Sequence, residues 1–210
     1  MPRTQEGLAE LVHREGVADR IAHAFETVDR ADFVPEAERE NAYQDRPIGL
    51  PRSQTTSQPS LIARMVDAVD PEPEDKVLEV GTGYGFQTAL LASLVAQVVS
   101  IERHAELAGA ARANLERTGF ANVQVVVGDG WKGVPDKAPF DGIVVSASAE
   151  SFPEELGAQL AEGGRIVIPL ARALGDDVLC FIKRAGGIRQ ERLVTPARFV
   201  PLVKGSEPTR

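Results

Sequence analysis

The run Lys76-Val77-Leu78-Glu79-Val80-Gly81-Thr82-Gly83-Tyr84-Gly85 decides the fold. Its first five residues read as a strand, and the glycines after them let the backbone turn sharply and approach a ligand closely. A helix is predicted from near Gln87, and the apolar run Val98 to Ile101 follows it as a second strand. That strand ends in Glu102, about 20 residues beyond the loop, where a carboxylate can accept from both hydroxyls of a ribose. Strand, glycine turn, helix, strand and acid form one βαβ unit laid out as an adenosine site.

Spacing narrows the choice of cofactor. A dinucleotide fingerprint of the form G-x-G-x-x-G needs glycine where Phe86 stands, so an NAD-dependent oxidoreductase matches poorly. Glu79 would repel a pyrophosphate beside the loop but tolerate the ammonium and sulfonium of S-adenosylmethionine. The loop therefore reads as a methyl-donor site, with Glu79, Gly81, Thr82, Gly83, Gly85 and Glu102 as its residues. Without Glu102, the glycines would fit a plain turn in an α/β sheet equally well.

Outward from this unit, strands and helices alternate: Val98–Glu102, Ala105–Thr118, Val123–Val127, Gly142–Ser146, Pro153–Leu160 and Arg165–Leu170, after a helix over Gln87–Ala96. Alternation of this kind predicts a mostly parallel twisted sheet with helices on both faces. Asp177–Arg184 and Ile188–Val194 flank Ala185-Gly186-Gly187 as an antiparallel hairpin would. The expected fold class is α/β, a Rossmann-like S-adenosylmethionine-dependent methyltransferase of class I with that C-terminal hairpin and an N-terminal helical cap. Helices are predicted over Leu8–Arg14 and around Val17, Ile21, Phe25 and Val28, and a third is opened by Pro59 and ended by Pro71 and Pro73. Between them, Phe33 to Pro59 is punctuated by prolines and reads as a long ordered loop, the kind that usually carries a site. One domain over 1–210 is expected, with 1–70 as cap and substrate loop, 71–203 as the cofactor-binding core and 204–210 as a loose tail.

Ligands in such sheets gather at the carboxyl ends of the strands. The candidate loops are Gly81 to Gly85, Glu102, Gly128-Asp129-Gly130 and Ser146 to Ser148. In the third, Asp129 is positioned to accept from an adenine amino group, with Gly130 beside it, or else serves only a glycine-rich turn. Trp131 either walls the adenine or fills the core.

Composition bounds the rest. The 210 residues are 43% hydrophobic, enough for one buried core. No apolar run approaches the ~20 residues of a membrane span, and Met1 to Glu6 is too polar for a signal peptide, so a cytoplasmic location and no membrane partner are expected. A formal net charge of −8 disfavours nucleic acid as a partner. The one cysteine, Cys180, sits in an apolar run, and His13, His23 and His104 have no zinc spacing, so no metal is expected. A monomer is the expected state.

Several separate motifs together resemble the protein-L-isoaspartate O-methyltransferase family over nearly the whole chain. Phe33 to Pro35, Ala42 to Asp45 and Pro47 to Gly49 are similar to its Phe-Val-Pro, Ala-Tyr-x-Asp and Pro-Ile-Gly segments, and Gln54 to Pro59 to its Gln-Thr-Ile-Ser-Gln-Pro signature. The donor loop Glu79 to Gly85, Gly128 to Gly130, Ala138 to Asp141, Gln159 to Pro169 and Phe199 to Leu202 resemble later landmarks. The Gln54 to Pro59 signature is the most specific, since methyltransferases in general share only the donor loop. Departures are Ser53 where the family commonly has glycine, Thr56 for isoleucine, Tyr84 for a small residue and Ser148 for alanine.

The resemblance implies that Ser57 is the active-site serine in a loop over the methyl-accepting carboxylate, with Gln54, Thr55 and Thr56 binding substrate; alternatively Ser57 caps the helix opened by Pro59. It further implies the partners: isoaspartyl-containing proteins and peptides, esterified on the displaced α-carboxylate so that a succinimide closes and repair begins. A carboxylate with a pKa near ~4 is already anionic, so no general base is needed. Alignment, which can contribute ~7–11 kcal/mol, and exclusion of water are what help. Two alternatives remain open at this point: a methyltransferase for one aspartate of a biosynthetic peptide, and a non-catalytic S-adenosylmethionine-binding protein.

Overall fold

The computed structural model describes residues 3–205. Helices α1 (Gln5–Arg14) and α2 (Asp19–Thr27) lead through short 3-10 turns to a small antiparallel pair, β1 (Ile48–Leu50) and β2 (Gln54–Thr56), and then to α3 (Pro59–Val69). Next come β3 (Lys76–Val80), α4 (Phe86–Ala92), β4 (Gln97–Glu102), α5 (Ala105–Arg117) and β5 (Val123–Val127). Then follow β6 (Phe140–Val145), α6 (Glu154–Ala158), β7 (Leu160–Arg172), β8 (Gly175–Arg184) and β9 (Gly187–Ala197).

The main sheet has the order β5-β4-β3-β6-β7-β8-β9. Neighbours from β5 to β7 are parallel, and β7, β8 and β9 pair antiparallel. In the central strands β3, β4 and β6 both faces are buried, which is why they are valine- and isoleucine-rich rather than alternating with polar residues, whereas the edge strand β9 is largely exposed. Val77, Val98, Val144 and Val167 share a core with α1 to α5, while Leu78, Val99, Ile143 and Ile166 pack in the opposite core with Leu156 of α6. Strand order reverses between β3 and β6, so the crevice at their carboxyl ends is the place where such a sheet takes a ligand.

Three segments differ from the sequence reading. The helix expected to reach Leu160 stops at Ala158, because Leu160 already pairs with Phe140 at the start of a much longer β7. Gly164 permits this: a Cβ there would lie 2.7 Å from the carbonyl oxygen of Asp141. The helix after the glycine loop ends at Ala92 rather than Ala96. Within the supposed loop from Phe33 to Pro59, the β1–β2 pair forms with Gly49 opposite Thr55, in strands too short to carry a periodic signal. Of the expected tail, Lys204 and Gly205 are tied to the fold, and 206–210 lie outside the described residues.

The segment between α2 and α3 is organised by Arg30, which is fully buried. Its guanidinium donates to the carbonyl oxygens of Ala42 (2.9 Å), Gln44 (3.0 Å), Arg46 (3.1 Å) and Ser57 (3.1 Å). It also lies 5.7 Å from the centre of the Phe86 ring, the first residue of α4. Burial lowers its pKa to about 10, with Asp45 acting in the opposite sense, so it remains charged at neutral pH. Asp45 in turn accepts from the backbone N–H and the hydroxyl of Ser60, both at 2.9 Å, and so caps α3 from a distance. Phe86 also meets Phe25 edge-on at 5.7 Å, joining the N-terminal helices to the sheet core.

Removing a buried guanidinium whose two Nη atoms serve four carbonyls, while its Nε is buried without a partner, strands those carbonyls. Arg30→Met should therefore lower unfolding free energy by about 3–5 kcal/mol in a urea titration and make the chain between Ala42 and Ser57 the first site of limited proteolysis. A loss under about 1 kcal/mol, the size of one ordinary hydrogen bond, would contradict this role.

Candidate active site

A cavity of about 320 Å³ opens at the carboxyl ends of β3, β4 and β6, within the range of small-ligand sites. One wall is the glycine loop, with Gly81, Thr82, Gly83 and Tyr84, together with Glu102, His104 and Gly130. The facing wall is the β2 segment from Gln54 to Ser57, and Ser146 and the rail from Val200 to Val203 complete it. Gly81 must be glycine: its φ is +98°, and a Cβ would stand 3.3 Å from that of Ser146.

Glu102, at the end of β4, is nearly buried and accepts from the backbone N–H of Gly83 (2.9 Å) and of His104 (3.0 Å). Each oxygen takes one N–H and keeps a lone pair, leaving a fixed two-oxygen acceptor suited to a pair of ribose hydroxyls. Ile101, Leu107 and Leu202 supply apolar surface beside it. The residues present therefore fit an adenosine-bearing donor.

Glu79 is placed differently from the sequence expectation: it lies behind the loop and does not line the cavity. Its carboxylate accepts from Ser100 Oγ (2.6 Å), from Gln87 Nε2 (3.0 Å) and from Thr88 Oγ1. Ser100 also meets Thr82 Oγ1 at 2.5 Å, and Gln87 donates to Ser146 Oγ at 3.0 Å. Thr82, Gln87 and Ser146 line the cavity, so Glu79 meets its contents through them. Complete burial raises its pKa to about 7, against the hydrogen bonds from Ser100, Thr88 and Gln87 and with a push from Glu102.

Asp129 is not brought to the cavity either. Its carboxylate accepts from the backbone N–H of Trp131 (3.0 Å) and of Gly205 (2.8 Å), tying the C-terminal segment to the β5 end. Trp131 fills the core, with the Lys204 ammonium 4.2 Å above its ring. Gly85 caps α4 in the left-handed region and stands just outside the lining. Cys180 is buried in β8, and burial, followed by the nearby Glu191, pushes its thiol up to about 11, as suits a core residue.

On the acceptor side, Gln58 and not Ser57 is the N-cap of α3, and the helix's first turn is served by Asp45. Ser57 is thus free of the capping role and half-buried at a junction. A second cavity of about 230 Å³ shares Thr55, Ser57, Ser146 and Val200 with the first. The sequence reading missed Arg30, Gln87 and Ser100. A serine inside the apolar run Val98 to Ile101 was a visible signal for the last; nothing in the local pattern marked the other two.

A sequence profile of the family described as Protein-L-isoaspartate(D-aspartate) O-methyltransferase (PCMT) matches residues 3–207. The chain is 46% identical over 202 residues to the protein-L-isoaspartate O-methyltransferase of Koribacter versatilis, covering 95% of this chain and 90% of that one. It is 43% identical over 200 residues to that of Myxococcus xanthus, covering 93% and 94%. The chain belongs to the protein-L-isoaspartate O-methyltransferase family. A solved protein-L-isoaspartate O-methyltransferase superposes with a TM-score of 0.84 at 31% identity, over 94% of this chain and 65% of the longer one. A Plasmodium falciparum structure in complex with S-adenosyl-L-homocysteine gives a TM-score of 0.82 at 24% identity, over 97% of this chain and all of that one, a likeness of fold.

Against the family pattern, the serine at 53 has a physical consequence. Ser53 adopts φ +57° directly after Arg52 at φ +62°, a region where a Cβ costs about 1–2 kcal/mol. Ser53→Gly should raise unfolding free energy by about 1 kcal/mol once the added freedom of the unfolded chain is subtracted; an unchanged denaturation midpoint would refute the strain.

The Glu79 shift carries a pH dependence whose sign is fixed. The folded state holds the proton up to about 7, against an ordinary value of 4.5, so between those values the unfolded chain binds fewer protons and stability falls as pH rises. Comparing wild type with Glu79→Gln, the wild-type advantage should shrink by on the order of 3 kcal/mol between those pH values. A difference independent of pH would show that Glu79 does not hold its proton.

Proposed function

We propose that this chain transfers a methyl group from S-adenosylmethionine to the free α-carboxylate of L-isoaspartyl residues in damaged proteins and peptides, starting their repair through a succinimide. The observation that carries this reading is the meeting of two cavities at Ser57: one lined by Gly81, Gly83 and Glu102, and a second lined by Gln58, Arg64 and the stretch from Thr195 to Phe199. When bound, S-adenosylmethionine supplies a methyl group activated on a positively charged sulfur.

The chain's own residues do the rest. Gly81, Thr82, Gly83 and Gly130 give the donor a close-fitting backbone surface, and Glu102 holds its ribose. Ser57 offers a hydroxyl to one oxygen of the acceptor carboxylate, while Gln54, Thr55 and Thr56 close over it. That carboxylate is ionised at neutral pH, so Ser57 orients it without removing a proton. Ile101, Leu107 and Leu202 keep water out, which strengthens the fixed dipoles around the reacting groups.

The same reading treats 1–210 as one catalytic unit, in which 1–70 present the acceptor and 71–203 the donor. It also takes the chain to act as a cytoplasmic monomer, apart from nucleic acid and membranes. The net charge of −8 supports the former separation, and no helix among the described residues is long and apolar enough to cross a membrane.

The test is incubation with methyl-labelled S-adenosylmethionine and a matched pair of peptides, isoaspartyl and aspartyl, counting base-labile label. Label on the isoaspartyl peptide alone is expected; label on neither, with donor binding intact, would overturn the proposal. Ser57→Ala should lower kcat/KM about 100-fold, the size of effect seen when one positioned hydroxyl or amide is lost, while titration with the donor gives the wild-type affinity.

A further inference from the structure

We infer that Arg198 is a specificity-determining residue that favours isoaspartyl substrates carrying a second carboxylate close to the isoaspartyl residue. The inference rests on the proposed acceptor role of the second cavity, and its basis is the charge of that cavity. Its lining contains two cationic side chains, Arg64 and Arg198, and neither aspartate nor glutamate. This is a local reversal in a chain whose net charge is −8.

The two arginines are not equivalent. Arg64 is answered within the fold: its Nε donates to Glu15 Oε2 at 2.8 Å and its Nη1 to Thr195 Oγ1 at 3.2 Å. Arg198 is exposed and makes no ion pair among the described residues. The acids near it are engaged elsewhere. Asp176 accepts from the Phe199 N–H (2.7 Å) and from Ser148 Oγ (2.6 Å), and Asp177 pairs with Arg172 at 3.0 Å. These bonds, with the Ser148 N–H donating to the Val200 carbonyl at 2.8 Å, hold the backbone that carries Arg198 in place.

An exposed, uncompensated guanidinium carried on this held backbone at the rim of an acceptor cavity presents a paired set of donors that a carboxylate can take bidentately. The reacting carboxylate belongs at Ser57, on the wall shared with the donor cavity. The carboxylate that Arg198 attracts is therefore a neighbouring one, from a side chain or a chain terminus of the damaged polypeptide.

The experiment uses the full chain, S-adenosylmethionine and isoaspartyl peptides of one length that differ only in having Glu, Gln or Lys beside the isoaspartyl residue, on either side. In the wild type, kcat/KM should be about threefold higher for Glu than for Gln on at least one side at low salt, and lower for Lys. The preference should narrow as ionic strength rises. Arg198→Gln should bring the Glu-to-Gln ratio to about one, and Arg198→Lys should keep it above one. Equal kcat/KM for the three peptides in the wild type would overturn the inference, as would a preference that survives Arg198→Gln. A loss in Arg198→Gln that is the same for all three peptides would also overturn it, since it would place Arg198 on the reacting carboxylate. Failure to label even the Gln peptide would instead overturn the proposed function itself.

Discussion

One buried guanidinium holds the two halves of the site together. Arg30 takes the carbonyls of Ala42, Gln44, Arg46 and Ser57 and lies against Phe86, so the acceptor segment and the helix behind the donor loop share a single anchor. No other side chain could do this, because only arginine spreads five donors over a rigid planar fork and stays charged when buried. The carbonyl dipoles replace the water that the charge gives up, which is the condition for keeping an ion in the core at all. Loop residues that would otherwise sample many conformations are thereby set in one, and Ser57 is fixed through its own carbonyl.

The donor half is built by a different physical route. Here the anchor is the parallel sheet, whose strand ends fix Gly81 and Glu102 through ladder bonds such as the Gly81 N–H to the Ile101 carbonyl at 2.8 Å. Two carboxylates then divide the work by environment. Glu102 faces the cavity and is oriented by two backbone N–H groups; Glu79 is sealed behind the loop by the Ser100 and Thr88 hydroxyls and by the Gln87 amide, of which only Gln87 lines the cavity. An acid two residues before a glycine loop thus serves by holding Thr82, Gln87 and Ser146 in position. Of the two acids, only Glu102 lines the cavity.

Much of this was legible in the sequence, and the parts that were not share a cause. The βαβ unit, the position of Glu102, the sheet and its antiparallel edge follow from local patterns: apolar runs, glycines and an acid at a set distance. The β1–β2 pair escaped because strands of three residues carry no period. The long β7 escaped because Gly163-Gly164 suggests a break, when in fact Gly164 lets β7 pass close to Asp141. Arg30, the capping of α3 by Asp45, and the engagement of Asp129 by Trp131 and Gly205 all depend on partners distant in sequence or on backbone groups, which no single-chain pattern reports. The motif drew attention to Ser57, and that it does not cap α3 emerged only when Gln58 took the N-cap position.

The central claim is that donor and acceptor enter separate cavities and meet at Ser57. The most direct measurement is a crystal structure of the chain with S-adenosyl-L-homocysteine and an isoaspartyl peptide bound together. The account predicts the ribose on Glu102, the peptide in the cavity bordered by Thr195 to Val200, and the isoaspartyl carboxylate beside Ser57, facing the sulfur. A peptide seated elsewhere, or a ribose away from Glu102 with Ser57 contacting neither ligand, would contradict it.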